Sequence, residues 1–366
     1  MENKTNQAQP TIFQFVITGG PCAGKTTCLS VLEKSLTDKG YKVVIVPETA
    51  TEVISSGIGV GDLPVQDFQE IIFDRSLNKE ATTREALRKM HKDAVILYDR
   101  GIIDNKAYMS KEVFQDILFK RGLTEVDVRD QYDAVFHLVT AADGAEQFYT
   151  LANNKARSES PELARELDAK TKNAWVGHPH LRVIDNRGSF EEKIAHLEKE
   201  VLSVIGLPTP IEIERKFLIE KPCLDVLMEK EAIKQEILQV YLSSEDKNVE
   251  RRVRQRGLNG IFSYYYTEKT TAEGIGRVEK ERKISKSEYL ELLLEGVKMI
   301  RKTRYCFLYK NQYMELDIYP NWVCNAILEV ELTEETQEIL LPDWISAIKE
   351  VTEDKAYKNA SLASTM

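Results

Sequence analysis

The sequence is poor in cysteine, and what it has is not arranged for chemistry. Cys22, Cys28, Cys223, Cys306 and Cys324 are odd in number and scattered, with no C-x-x-C pair. This excludes a zinc ribbon and leaves reduced thiols as the reading. The five histidines, His91, His137, His178, His180 and His196, make no metal set, and His178-Pro179-His180 reads as a loop before a strand. No stretch approaches the roughly 18 apolar residues of a membrane span. Met1 to Pro10 is polar and lacks the apolar stretch of a secretory leader. A soluble, cytoplasmic protein is expected. A surplus of basic charge is missing too: 50 Lys and Arg stand against 59 Asp and Glu, a net charge of -9. Nonspecific binding to nucleic acid is therefore excluded as a function class. Internal repeats and low-complexity tracts are also absent.

What is present divides in two. At roughly 150 residues per domain, 366 residues correspond to about two domains. Up to residue 205 short apolar strands alternate with longer helical stretches, the pattern of an α/β fold with a parallel sheet and helices on both faces. The strand candidates are 13–18, 42–46, 94–98, 134–139 and 181–184. Gly206-Leu207-Pro208-Thr209-Pro210 continues neither a helix nor a central strand, because two residues lack an N–H donor. Domains at 1–206 and 211–366 with a linker at 207–210 follow. Beyond it the grammar changes to eight short alternating segments, at 211–219, 237–242, 249–256, 261–269, 275–283, 300–309, 312–318 and 325–332, which read as antiparallel β.

The first strand runs into Gly19-Gly20-Pro21-Cys22-Ala23-Gly24-Lys25-Thr26, a complete G-x-x-x-x-G-K-[ST], and a helical run opens at Thr27. Each part has a physical job. Glycines let backbone N–H groups converge on phosphates, the helix N-terminus adds positive potential, Lys25 neutralises β/γ charge, and Thr26 holds Mg²⁺. The strand Val95-Ile96-Leu97-Tyr98 ends in Asp99, a carboxylate placed to order the same ion, with Arg100 next and Asp104 one helical turn on. Glu48 closes the second strand at the carboxyl edge where open α/β sheets bind ligands. It is either a general base toward a substrate hydroxyl or a cap on the next helix.

This half resembles the small P-loop kinases of the nicotinamide-riboside-kinase and deoxynucleoside-kinase type, with Asp99-Arg100-Gly101 where that group has its Asp-Arg motif. The resemblance implies binding of ATP or GTP with Mg²⁺. It also implies a lid that brings arginines to the phosphates. The segment from Arg157 to Lys172, with Arg165, is the candidate for that lid, unless its alternating charges are simply a solvated helix face. Asn154-Lys155-Ala156-Arg157 lacks the Asp of an N-K-x-D guanine reader.

In the second half the charges alternate along the strands. Glu212, Glu214 and Lys216 share one strand face, as do Arg252, Arg254 and Arg256. Lys269, then Arg277, Glu279 and Glu281, then Lys302 and Arg304, Glu315 and Asp317, and Glu329 and Glu331 repeat the pattern. Residues 251–304 carry 14 Lys and Arg against 7 Asp and Glu, while acidic pairs flank them. Turned into a barrel, such faces place a basic surface for several phosphates beside a carboxylate cluster for divalent metal. Charges buried that way are tolerable only where water, metal and polyanion fill the space.

The opening E-x-E-x-K, Glu212, Glu214 and Lys216, with Glu329-Val330-Glu331 late in the chain, resembles the CYTH group of triphosphate tunnel metalloenzymes. The resemblance implies an eight-stranded antiparallel tunnel that binds, and hydrolyses, an inorganic or organic triphosphate with Mg²⁺ or Mn²⁺. Carried over by position, Glu212, Glu214, Asp317, Glu329 and Glu331 hold metal. Lys216, Arg252, Arg254, Lys269, Lys302 and Arg304 cradle phosphates. A kinase-like P-loop domain ahead of a CYTH domain resembles the TRPL-translocation-defect group. For that group an anionic phospholipid is the implied ligand, so a nucleotide-regulated lipid-binding protein is the alternative reading. A nucleoside or nucleotide kinase with a regulatory tunnel is a third.

Overall fold

The computed structural model describes residues 11–59, 61–149, 160–207, 213–246, 248–272, 276–332 and 337–365, with the backbone alone for 213, 271–272 and 276–279. Two compact units emerge, Met1–Glu198 and Lys199–Met366.

The first unit is built on five parallel strands, β1 (Ile12–Gly19), β2 (Lys42–Val46), β3 (Ala94–Asp99), β4 (Ala134–Leu138) and β5 (Leu181–Ile184), in the order β2-β3-β1-β4-β5. β4 is buried along its whole length and β3 along all but its last residue, which is why they read as unbroken apolar runs. Helices α1 (Lys25–Asp38), α2 (Thr49–Ser55), α3 (Val65–Met90), α4 (Lys111–Lys120), α5 (Glu125–Arg129) and α6 (Pro161–Ala174) occupy the connections, and α7 (Phe190–Ile205) follows β5 and runs on past Glu198, where the unit ends. The chain leaves β1 toward β2 and later returns past β1 to β4, so its winding reverses beside β1. Ligands of open α/β sheets bind at the carboxyl ends of strands around such a reversal. The phosphate loop lies there.

The second unit is antiparallel throughout. Strands β6 (Ile213–Glu220), β7 (Ile233–Leu242), β8 (Val249–Leu258), β9 (Ile261–Ala272), β10 (Gly276–Ile284), β11 (Gly296–Tyr309), β12 (Gln312–Ile318), β13 (Asn325–Leu332) and β14 (Ala347–Glu350) run in the order β10-β9-β8-β7-β11-β12-β13-β6-β14, and β15 (Ser364–Thr365) pairs with β11. The eight expected strands are all present. Two more bring the sheet to ten, because segments of four and two residues are too short for an alternating pattern to be read.

One face of this sheet is ordinary core. Phe217, Tyr305, Phe307, Leu328 and Val330 pack with Leu227 of α8 (Leu224–Glu229) and with Ile345. Farther along the same face Val240, Val253 and Ile284 pack with Tyr289 of α9 (Lys286–Leu292). A last helical turn, α10 (Asn359–Leu362), precedes β15. The opposite face carries the charges. Leu218, Tyr241, Ile300 and Ile327 occupy that face on β6, β7, β11 and β13, and they pack into one cluster with Tyr319 and Val351. Four strand spacings separate β6 from β7 in the sheet order, about 19 Å if the sheet were flat. Their side chains meet because the sheet curls on itself and encloses its charged face.

Candidate phosphate-binding sites

The phosphate loop closes tightly onto the end of β4. A Cβ on Gly19 would stand 2.1 Å from Leu138 O, so only glycine fits. Gly24 enters α1 at φ +85, the left-handed region. The loop's carbonyls are bound from outside. Thr140 Oγ1 donates to Pro21 O, Ala141 N to Cys22 O at 3.3 Å, and Lys193 Nζ to Ala23 O at 3.3 Å. Burial pushes the Lys193 pKa down to about 8. Lys25 Nζ folds onto Gly19 O at 3.3 Å and Gly20 O at 3.4 Å, and Thr26 and Thr27 are exposed at the head of α1. A lysine resting on the loop's own carbonyls is placed to exchange them for a phosphate oxygen.

β3 sits beside β1 in register, with Asp99 opposite Ile17. Asp99 Oδ1 is buried and has no hydrogen-bond partner among the described residues. Burial raises its pKa, Lys25 lowers it, and Glu48 raises it again. An orphaned carboxylate oxygen with the Thr26 hydroxyl is the donor chemistry of a hard cation, so the residues fit Mg²⁺. Arg100 follows at φ +66, and its Nε donates to Glu48 Oε1 at 2.6 Å. Its Nη1 is buried with no partner among the described residues.

Glu48 occupies the N-cap position of α2 without bonding the helix backbone; its Oε2 accepts from Thr51 Oγ1 at 2.8 Å. Burial opposes its ionisation, but the Arg100 and Lys25 cations outweigh it and hold the pKa down at about 2. A carboxylate of that basicity is a weak proton acceptor.

Asp104 is a buttress: it accepts from Thr18 Oγ1 at 2.6 Å, Trp175 Nε1 at 3.0 Å and Gly101 N at 2.8 Å. Arg157 lies outside the described residues. Arg165 sits on α6, where Nη1 donates to Ala142 O at 2.7 Å and Nη2 meets Glu162 at 3.2 Å.

In the second unit the ladder registers align the inward positions. Glu331 stands opposite Glu214, Glu329 opposite Lys216 and opposite Glu315, and Arg304 opposite Asp317. Arg304 is the hub. Its Nε and Nη2 bond the two Asp317 oxygens at 2.7 and 2.6 Å, Nη2 also reaches Glu329 Oε2 at 2.5 Å, and Nη1 meets Glu315. Lys302 bonds Asp317, and Lys216 Nζ lies 2.9 Å from both Glu214 and Glu329. Burial penalises the Lys302 ammonium, Arg304 adds repulsion, and the pKa falls. For Lys216 the neighbouring Glu329 and Glu214 outweigh burial and raise it.

On the same face of β8, β9 and β10, Arg254 Nη2 holds both Glu281 oxygens at 2.9 and 3.0 Å, and Thr267 donates to the same carboxylate at 2.8 Å. Arg256 is buried against Gln235 Oε1 at 2.6 Å, and Arg252 approaches Glu250 at 3.9 Å. Lys269 stands opposite Glu250 in the β8–β9 register. The site therefore draws in Arg256, Glu281 and Glu315, which the alternation displays but does not single out. Glu212 lies outside the described residues. Among those described, no three His, Cys, Asp or Glu side chains form a metal-holding group, and Lys216 and Arg304 occupy Glu329. Glu214, Glu329 and Glu331 bring carboxylate oxygens to one face of two adjacent strands, and oxygen donors of that kind suit a hard divalent ion.

Residues 14–193 match an AAA-domain family and residues 210–365 the CYTH-domain family. The chain belongs to the CYTH family, with a P-loop-type AAA domain ahead of the CYTH domain. An inorganic triphosphatase of Nitrosomonas europaea is 35% identical over 159 residues, 42% of this chain and 96% of that protein. Among solved structures, an inorganic triphosphatase is 30% identical, with 42% of this chain and 93% of that chain covered and a TM-score of 0.30. A protein of Pyrococcus horikoshii is 20% identical, with 34% and 81% covered and a TM-score of 0.26. Among the described residues no helix is long and apolar enough to cross a membrane.

Proposed function

We propose that the C-terminal domain binds a triphosphate in its charged interior and hydrolyses a terminal phosphoanhydride bond. The N-terminal domain, on the same reading, binds ATP or GTP and acts as a kinase-like phosphotransferase. The observation that carries the first claim is the buried group Lys302, Arg304, Asp317 and Glu329, with the half-buried Lys216 bonded to Glu329. Fixed charges so withdrawn from water are costly unless they serve a ligand, and both signs are present, as a polyanion with its metal requires. The likeness to an inorganic triphosphatase supports it.

When the triphosphate enters, Lys216, Lys302 and Arg304 turn from their carboxylates to phosphate oxygens. Arg252, Arg254 and Lys269 supply further contacts from the facing strands. Glu214 and Glu329, released from their cations, and Glu331 beside them are the residues that would hold Mg²⁺ or Mn²⁺. Such an ion, when bound, neutralises phosphate charge and lowers the pKa of its water. In the first unit Lys25 and Arg100 hold the transferring phosphoryl group, Thr26 and Asp99 would hold Mg²⁺, and Glu48 orients the acceptor hydroxyl by accepting its hydrogen bond.

A phosphorus NMR time course with tripolyphosphate, ATP and GTP tests both halves, since it reports which bond breaks and whether a new ester forms. Orthophosphate from tripolyphosphate, lost in Glu331→Ala and kept in Lys25→Ala, is the expected result. Wild-type protein that releases none with Mg²⁺ or Mn²⁺ overturns the hydrolase reading.

A further inference from the structure

Helix α6 touches both loops that carry the phosphate chemistry. From its middle, Asp168 reaches the phosphate loop: Oδ1 accepts from Gly20 N at 3.0 Å and from Thr140 N at 2.9 Å, joining the loops after β1 and β4. From its C-terminal end, Trp175 Nε1 donates at 3.0 Å to Asp104, which in turn binds Gly101 N beside Arg100. The approach is close at both points. A Cβ on Gly20 would stand 2.8 Å from Asp168, and one on Gly101 2.9 Å from the Trp175 ring. Asp168 is 3% exposed, with His137 Nε2 at 3.2 Å and Lys172 Nζ at 3.8 Å as its other polar neighbours.

A solvated helix face does not present a buried aspartate to a phosphate loop. A carboxylate also costs more to bury than an amide or an alkyl chain unless its hydrogen bonds serve a purpose. The loop's N–H groups converge, so their dipoles repel one another, and an acceptor on the first of them offsets that repulsion before any phosphate arrives. We infer that Asp168 is a positioning residue for nucleotide binding, holding the phosphate loop in its anion-binding form through Gly20 N–H. This rests on the reading of the first unit as a nucleotide site. With Trp175 on Asp104, α6 fixes the phosphate loop and the Asp99-Arg100 turn relative to each other.

Asp168→Leu removes the acceptor and adds bulk, whereas the near-isosteric Asp168→Asn keeps an acceptor oxygen and removes the charge. Affinities for MgATP and MgGTP are measured by calorimetry on the full chain, well below each variant's unfolding temperature, with tripolyphosphate hydrolysis on the same preparations as a second readout. The Leu variant is expected to bind nucleotide at least tenfold more weakly, and the Asn variant to recover to within about threefold of wild type. Hydrolysis at the other site stays unchanged. A merely structural role lowers the unfolding temperature of both variants and leaves low-temperature affinity alone. Should the Leu variant fail to fold, an Asn variant that binds within threefold while Asp168→Ala binds tenfold more weakly gives the same support. Leu or Ala binding as tightly as wild type, or Asn no better than either, overturns the inference alone. Wild-type protein that binds no nucleotide overturns the nucleotide reading and the inference with it.

Discussion

Arg304 grips Asp317 with two prongs, Nε to Oδ1 at 2.7 Å and Nη2 to Oδ2 at 2.6 Å, directly across the β11–β12 ladder. Asp317 is fully buried and Lys302 lies on it as well. One carboxylate thus holds two buried cations that the proposed ligand would claim. Asp317→Ala leaves both without their main counter-charge, and about 3–5 kcal/mol of stability is lost. Tripolyphosphate should restore much of it by taking over the cations. Thermal unfolding with and without tripolyphosphate checks this: a variant as stable as wild type without ligand contradicts it.

Metal removal should separate the two claims made for the tunnel. Chelation by EDTA is expected to stop phosphate release from tripolyphosphate, and either Mg²⁺ or Mn²⁺ to restore it. Release that persists after exhaustive chelation removes the role assigned to Glu214, Glu329 and Glu331.

In the first unit Glu48 and Arg100 should behave unequally. With its pKa held at about 2, Glu48 is too weak a base to carry most of the rate. Glu48→Gln is therefore expected to slow phosphoryl transfer by roughly 10-fold to 100-fold, and Arg100→Met by about 10³-fold. Because the folded pKa is depressed, the ionised Glu48 adds stability above its ordinary value of 4.5 and loses it as pH falls toward 2. Single-turnover kinetics decide the matter, and a larger loss in the Glu variant than in the Arg variant reverses the assignment.

Glu80 gives the opposite pH signature. It is buried on α3, with both oxygens 2.9 Å from Tyr132 Oη, and burial pushes its pKa up to about 8. The folded unit holds an extra proton between 4.5 and about 8, so its contribution is full below 4.5 and is lost as pH rises through 8. Glu80→Gln should flatten this fall, by a few kcal/mol at pH 9 relative to pH 5. Denaturant unfolding at the two pH values measures it; parallel curves for variant and wild type refute it.

Gly19→Ala tests the loop's closure. The added carbon falls 2.1 Å from Leu138 O, a backbone atom that cannot step aside without breaking the β1–β4 pairing. Nucleotide binding is expected to disappear while tripolyphosphate hydrolysis continues. Intact nucleotide affinity in this variant, measured by calorimetry, is the contrary result.

Much of this was legible in the chain because it is local. The phosphate loop is one contiguous motif between a strand and a helix, and its place at the end of β1 follows from that context. Period-two alternation assigned the charged face of β6, β8, β11, β12 and β13, because neighbours on a strand must point oppositely. The role of α6 was not legible. Ala164, Asp168, Thr171 and Ala174 are its buried positions, spaced as an inward stripe, and an aspartate in such a stripe was the one available sign. Its partner Gly20 is 148 residues away in sequence, and no spacing rule reaches that far.

The sequence by itself determined two domains, the phosphate loop with Lys25 and Asp99, and the sorting of charge onto one side of each strand. These depend on backbone periods of 2 and 3.6 and on the few residues that tight loops admit. Tertiary structure alone decided that Glu48 binds Arg100 instead of capping α2, that α6 braces the loop, and that Arg304 gathers Glu315, Asp317 and Glu329. The physical reason is that a strand's pattern says which way a side chain points, whereas the curl of the sheet decides what it meets there.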